Sequence, residues 1–384
     1  AGIKSFFPLP KITESGTLYP MIPIAFTGGG TGGHIYPGLA VAAYLRHNPE
    51  YRIFWIGSRT GMDRALVEGA GLEFFGVPSG RLRRYVSLKT VPDFFRIVLG
   101  FFAARKILKR ERPVLVFSKG GFVSVPPCAA AASLGIPVFT HESDYSPGLA
   151  TKINAFFTCR GGGMIFTAYE DTAAFFPPGS RVRVTGNPVR PEFRSADPER
   201  GRAFLGLGGK ERILLVLGGS QGAGEINDLV WKSRGELAKW YTVVHQTGPG
   251  KAEGQKAGNR YLPYPYIHEE LPHILAAAEL VLGRSGAGTV WESAAAGVPM
   301  VLIPLRGSGT RGDQVENARF FEKAGAALVL TGDLKPPDLT AAVASIAEDE
   351  KKRENMAAAS RRIGEIDGAA LAAGFIHSFI GEET

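Results

Sequence analysis

Short apolar runs alternate along this chain with longer stretches whose apolar positions recur at helical spacing, and that alternation predicts an α/β protein. In the first half the predicted strands are 22–27, 52–56, 114–118, 138–141, 164–167 and 182–185. A Gly-rich turn follows the first of them, and a helix over 34–46 follows the turn. From Thr185 to Lys210 the pattern breaks into TGNPVRPEFRSADPERGRAFLGLGGK. Its Pro, Gly and charge predict an interdomain linker and a short helix. The pattern then restarts, with strands predicted at 212–217, 242–246, 280–282 and 300–303. Both halves open alike, with strand, Gly-rich turn and helix. This predicts two similar doubly wound domains, 1–190 and 191–364, with a cleft between them. A last helix over about 365–384 is expected to pack back on the first domain. In such sheets ligands sit at the carboxyl ends of the strands.

Composition narrows the class. The chain has 384 residues, enough for about two domains with separate cores. Hydrophobic residues at 45% and charged residues at 21% are ordinary for a globular protein. The two cysteines, Cys128 and Cys159, make neither a disulfide framework nor a Cys-rich metal site, so a reducing compartment is expected. Cys128 sits in a small-residue run and reads as a buried helix residue. No apolar run approaches the roughly 18 uncharged residues of a membrane span. The first twenty residues lack the apolar core of a signal peptide and read as a loose extension.

The net charge of +8 is concentrated in one place. Between Arg81 and Arg112 there are ten basic and two acidic residues, which is +8 from one segment and leaves the remainder neutral. Arg83, Arg84 and Lys89 share that segment with Phe94, Phe95, Leu99, Phe101 and Phe102. Basic charge among bulky apolar side chains suits a surface that lies on anionic lipid. A helix with one buried and one solvated face is the plainer alternative. Nucleic acid is not expected as a partner, because no binding motif accompanies the patch.

The Gly-rich turns carry the candidate chemistry. The first reads Gly28-Gly29-Gly30-Thr31-Gly32-Gly33-His34. Glycines let backbone N–H groups approach an anion, and the helix that starts there favours a diphosphate. The run also fits the dinucleotide fingerprint. That reading needs an acid at the end of the second strand, about 20 residues on, for the ribose hydroxyls. The second strand ends Trp55-Ile56-Gly57-Ser58-Arg59 without one, so a nicotinamide cofactor is disfavoured and no cofactor is expected. His34 stands where turn becomes helix. An imidazole titrates at about 6.5 in water and suits a general base, although a capping or packing role fits equally.

In the second half, Ser285-Gly286-Ala287-Gly288-Thr289 makes another tight turn into a helix that could take a donor phosphate. Glu292 lies about one turn further on and could accept both hydroxyls of a ribose. A helix-start Glu favoured by the dipole is the alternative. In RGDQVENA, Asp313, Gln314 and Asn317 could read sugar hydroxyls or cap a helix. There is no Asp-x-Asp pair and no His/Cys cluster, so no metal is expected. Backbone amides, helix dipoles and Arg would stabilise a leaving group instead.

Six stretches occur in a familiar order: GGGTGGHIYPGLAVA, GGFVSVPPCAAAASLGIPVFTHESDYSPGLA, VTGNPVR, LGGSQGA, RSGAGTVWESAAAGVP and DQVENA. They resemble the MurG family, and the resemblance runs from about Ile22 to Leu330. It implies a GT-B fold of two Rossmann-like domains, with the nucleotide sugar on the second and lipid on the first. It implies an inverting N-acetylglucosaminyl transfer from UDP-GlcNAc to the 4-hydroxyl of the muramoyl sugar of lipid I, giving lipid II for peptidoglycan. The enzyme would sit peripherally on the cytoplasmic face of the bacterial inner membrane. Donor contacts implied by the matching motifs are Thr31, Gly32, Gly33, Asp144, Arg190, Ser220, Ile267 through its backbone, Ala287, Gly288, Thr289, Val290, Trp291, Glu292 on the ribose, and Gln314 on the sugar. His34 is the first candidate base and Glu142 the second.

Two positions depart from the family pattern. The family usually reads HEQN where this chain has His141-Glu142-Ser143-Asp144, so Asp144 replaces an Asn that touches the sugar. An ionised Asp accepts hydrogen bonds but cannot donate them. Trp291 stands where relatives often carry a smaller residue, and it either stacks on ligand or packs inside. The rival activities are another GT-B enzyme (a lipid glucosyltransferase or a UDP-GlcNAc epimerase), a nicotinamide-dependent oxidoreductase, and a silent sugar-nucleotide binding protein.

Overall fold

The architecture is that of a computed structural model, which describes residues 21–80, 90–219, 222–251, 257–258, 260–307 and 312–383. Seven strands make the first sheet: β1 (Ile22–Thr27), β2 (Tyr51–Ser58), β3 (Glu73–Val77), β4 (Leu115–Ser118), β5 (Val138–Glu142), β6 (Ile165–Thr167) and β7 (Val182–Val184), in the order β3-β2-β1-β4-β5-β6-β7. Six make the second: β8 (Ile213–Leu217), β9 (Thr242–Gln246), β10 (Tyr261–Tyr264), β11 (Leu280–Gly283), β12 (Met300–Leu302) and β13 (Ala327–Val329), in the order β10-β9-β8-β11-β12-β13. The ladders within both sheets are parallel. Parallel strands are covered on both faces by their crossover helices. Hence β8, ILLVL, is apolar and buried at every position.

Strand order reverses between β1 and β4 in one sheet and between β8 and β11 in the other. Helices leave to opposite faces there, so a crevice opens at the strand ends. The two crevices face each other, and the Gly-rich turns after β1, β8 and β11 line the space between them.

The pattern did not predict β3, β10 and β13, and all three lie at sheet edges. An edge strand has fewer buried positions, so its apolar run is weaker. Pro263 within β10 is tolerated only because an edge can lack a ladder donor. The linker is more ordered than its composition suggested, with helices Pro191–Arg194 and Pro198–Leu205. The second of these packs on the helix Leu271–Ala277. A Cβ on Gly201 would lie 2.3 Å from the His273 carbonyl oxygen, so only Gly permits that approach.

Residues 350–382 are long and apolar enough for a span, but they form two helices, Glu350–Gly364 and Gly368–Glu383. The last helix crosses back to the first domain. Ala369, Ala372, Ala373, Ile376, Phe379 and Ile380 bury in its core, and Tyr51 Oη meets His377 Nδ1 at 2.5 Å. Cys128 is buried in the helix Val125–Ala132.

Candidate active site in the interdomain cleft

The turn after β11 is built from backbone. The helix Ala287–Ala295 starts at Gly286, and no side chain caps it. Its first-turn N–H groups have no intrahelical acceptor, and Gly288 and Thr289 line the cleft. Glu292 is the sixth residue of this helix, beyond the first turn, so the dipole does not explain it. Its carboxylate accepts from Arg190 Nε at 3.3 Å and Nη2 at 3.2 Å, with 19% of the side chain exposed. Burial pushes its carboxyl above the ordinary range, and Arg190 opposes that shift. The Arg190 guanidinium lies 4.6 Å from the centre of the Tyr36 ring and 4.5 Å from that of Phe193. One interdomain Arg therefore touches an acid of the second domain and an aromatic of the first.

Ile267 has a buried side chain, and its N–H donates to Gln246 Oε1 at 2.9 Å. Gln246 lines the cleft as well, although the sequence reading passed over it. Gln314 is held by two contacts: its carbonyl accepts from Ser285 Oγ at 2.7 Å, and its Oε1 accepts from Leu305 N at 2.9 Å. In the turn after β8, Gly222 has φ +67, and a Cβ there would lie 1.9 Å from the Thr247 oxygen. Ser220 of that turn lies outside the described residues, as do Arg81, Arg83, Arg84 and Lys89.

On the side of the first sheet, the helix Gly32–Leu45 begins after Thr31, with no side-chain cap, and Gly32 and Gly33 line the cleft. Gly30 has φ +85, and its N–H donates to Asp63 Oδ1 at 3.0 Å. Asp63 Oδ2 accepts from Ser58 N at 2.9 Å, so this buried carboxylate ties the turn to the end of β2. Desolvation raises the carboxyl of Asp63, and those amide bonds resist the rise. His34 rests on the turn after β4, where Gly120 and Gly121 have φ of +85 and +75. A Cβ on Gly121 would lie 2.9 Å from His34 Cδ2, so the glycine makes room for the ring.

Three residues are placed otherwise than the motifs suggested. Glu142 spends both carboxylate oxygens on its own loop: Oε1 accepts from Ser143 N at 2.9 Å and Asp144 N at 3.0 Å, and Oε2 from Gly148 N at 3.0 Å. That is a loop-organising role, with three of the roughly four acceptor sites of the carboxylate given to backbone amides. Trp291 packs inside: its Nε1 donates to Tyr169 Oη at 3.1 Å, and its ring packs on Tyr169 and Phe321. Val290 is buried beside it, and neither side chain lines the cleft. Asn317 is buried rather than open to sugar. Its Oδ1 accepts from Tyr145 N at 2.9 Å, and its Nδ2 donates to Asp144 Oδ1 and Ser285 O, both at 3.1 Å. Asn317 thus joins the loop after β5 of one domain to the turn after β11 of the other.

Near that junction His141 is buried, and its Nε2 meets the Gly186 carbonyl oxygen at 3.0 Å. Burial holds its imidazole well below the usual range, hence neutral, so Nε2–H donates to the interdomain connection. The sequence reading also passed over Lys119 and Asn187. Both are buried, and their signal lies only in long-range pairing.

Comparison with known proteins agrees with this geometry. Residues 24–160 match the N-terminal domain of glycosyltransferase family 28, and residues 213–371 match its C-terminal domain. A UDP-N-acetylglucosamine--N-acetylmuramyl-(pentapeptide) pyrophosphoryl-undecaprenol N-acetylglucosamine transferase of Treponema denticola is 46% identical, covering 93% of this chain and 97% of that protein. The enzyme of the same name from Shouchella clausii is 44% identical, covering 81% and 86%. The crystal structure of Acinetobacter baumannii MurG superposes with a TM-score of 0.71 at 25% identity, covering 94% of this chain and all of that one. With both domains matched, close relatives along nearly the whole length and two facing parallel sheets of the GT-B kind, the chain belongs to glycosyltransferase family 28 and, within it, to the MurG family.

Proposed function

We propose that this protein transfers N-acetylglucosamine from UDP-GlcNAc to the 4-hydroxyl of the muramoyl sugar of lipid I, forming lipid II. One observation carries the reading: two uncapped helix N-termini, at Gly32 and at Ala287, border one cleft that Glu292 and Arg190 also line. An anionic donor gains at such ends, where the aligned peptide dipoles meet unpaired N–H groups. The carboxylate of Glu292 takes the ribose hydroxyls, exchanging its Arg190 contact for them. Gln246 and the Ile267 backbone face the base. Gln314, anchored through its two oxygens, directs its amide N–H groups toward the sugar.

In the transfer the acceptor O4 forms a bond to the anomeric carbon while the bond from that carbon to the diphosphate oxygen breaks. UDP leaves with the electron pair, and the configuration inverts. His34 takes the hydroxyl proton. The turn amides and Arg190 stabilise the charge that grows on the departing diphosphate. Asp144 holds its place through Asn317 and accepts from a sugar hydroxyl.

The acceptor arrives on lipid. Phe94, at 61% exposed, and Phe102, at 62%, project from the helix Thr90–Glu111 with Phe95 and Leu99, alongside exposed Lys106, Lys109 and Arg110. An apolar stripe flanked by cations suits peripheral binding to an anionic leaflet, with the cleft facing the cytoplasm. To test the transfer, UDP-GlcNAc and a lipid I analogue are incubated with the protein and the product is read by NMR. A β1→4-linked GlcNAc is expected. An α linkage, or no disaccharide, contradicts the reading.

A further inference from the structure

Lys119 directly follows β4 and is 2% exposed, an unusual place for an ammonium. Its Nζ donates to Ser143 Oγ at 2.7 Å. Ser143 Oγ in turn donates to Asn187 Oδ1, on the interdomain connection. Nothing in the proposed transfer uses this cation. A buried charge is costly unless partners compensate it. The compensating groups here are the carboxylates of Glu142 and Asp144, whose fields both favour the ammonium. Asp144 is the position where this chain departs from the Asn of its family pattern, so the extra negative charge and the buried cation occur together.

We infer that Lys119 is a positioning residue for the transfer: its ammonium props the 142–145 loop so that Asp144 and Tyr145 reach Asn317 and fix the acceptor domain against the donor domain. The route is continuous. Lys119 holds Ser143. Ser143 holds the interdomain Asn187. The next two residues bond Asn317, which also bonds the Ser285 carbonyl of the donor turn. Loss of the charge leaves the like charges of Glu142 and Asp144 in one short loop without the Lys119 cation beside them, and the clasp loosens.

Burial lowers the ammonium from its ordinary 10.5 to about 8, while Glu142 and Asp144 pull the other way. The titratable groups around it are His141, Glu142 and Asp144 on β5 and its loop, with His34 across on the first helix. Neutral His141 does not compete for the carboxylates. The signs separate activity from stability. Positioning is present below pH 8 and is lost as pH rises through it. The folding penalty of a buried ammonium runs the other way and shrinks between pH 8 and 10.5. A fall in rate above pH 8 is therefore not unfolding driven by this group.

The inference rests on the transfer reading, and its test separates the two. Turnover with a lipid I analogue is measured from pH 6.5 to 9.5 for the wild type, Lys119→Arg and Lys119→Met, with UDP-GlcNAc affinity and amide exchange in parallel. The wild-type kcat is expected to fall through pH 8–9. K119R keeps a permanent charge and loses that alkaline limb. K119M loses about tenfold or more in kcat between pH 6.5 and 7.5 with donor affinity unchanged, converges on the wild type above pH 9, and its exchange at the Tyr145 amide quickens about tenfold at pH 7. A flat wild-type profile to pH 9.5, an alkaline limb that persists in K119R, or a K119M kcat within about twofold of wild type at pH 7 overturns the inference. Should K119M not fold, the wild-type and K119R profiles decide. Should the wild type not turn over at all, the transfer reading fails, and exchange at Tyr145 in the Lys119 variants alone decides the role of Lys119.

Discussion

The imidazole of His34 lies against the turn after β4, where Gly121 sits at a position from which a Cβ would strike the ring. Such a ring is fixed by shape, and a fixed base loses little orientation entropy when it takes a proton. We expect His34→Ala to lower kcat by about 10²–10⁴, the usual range for general base catalysis, with UDP-GlcNAc affinity nearly unchanged. Steady-state kinetics with a donor titration check this, and near-normal turnover removes His34 as the base. The fall-back candidate, Glu142, is weaker than the motif suggested, because its oxygens already hold three amides. At this scale the sequence was legible where chemistry is local. The glycines and His34 stand out because a tight turn needs them in one short stretch. Lys119, Asn187 and the true role of Asn317 did not stand out. Their meaning depends on partners far along the chain, such as Asp144 at 173 positions from Asn317.

Among the elements, buried parallel strands were the clearest, since both faces demand apolar residues and the run is unbroken. Edge strands β3, β10 and β13 escaped notice for the opposite reason. The segment from Arg81 to Arg112 reads as basic and apolar at once, and Thr90–Glu111 of it is helix. What the pattern left open was which apolar residues face outward. Phe94, Phe95, Leu99 and Phe102 do. Four large exposed side chains on one helix are too many for ordinary scatter and form a patch. Replacing Phe94, Phe95 and Phe102 with Ser is therefore expected to weaken sedimentation with anionic vesicles by tenfold or more. Reversing Arg83, Arg84 and Lys89 is expected to weaken it mostly at low salt, where the Debye length is long. Vesicle binding unchanged by both sets removes this helix as the membrane face.

At the scale of the whole molecule, the two sheets repeat one strand order, and both switch points open on one cleft. Among the described residues, the polar contacts that join the domains include Arg190 with Glu292, Trp291 with Tyr169, and Asn317 with Asp144 and Tyr145, beside the last helix packed on the first core. Glu292 beside Arg190 is the residue whose assignment the structure most sharpened. As the sixth residue of its helix it is not a dipole-driven Glu, so a ligand-facing role gains weight. The central claim is that the cleft couples donor cleavage to an acceptor. The rate of UDP release from UDP-GlcNAc, measured with and without a lipid I analogue, tests it most directly. Release that rises by orders of magnitude when the acceptor is present is the predicted result. Release at the same rate without it, or none in either case, contradicts the account.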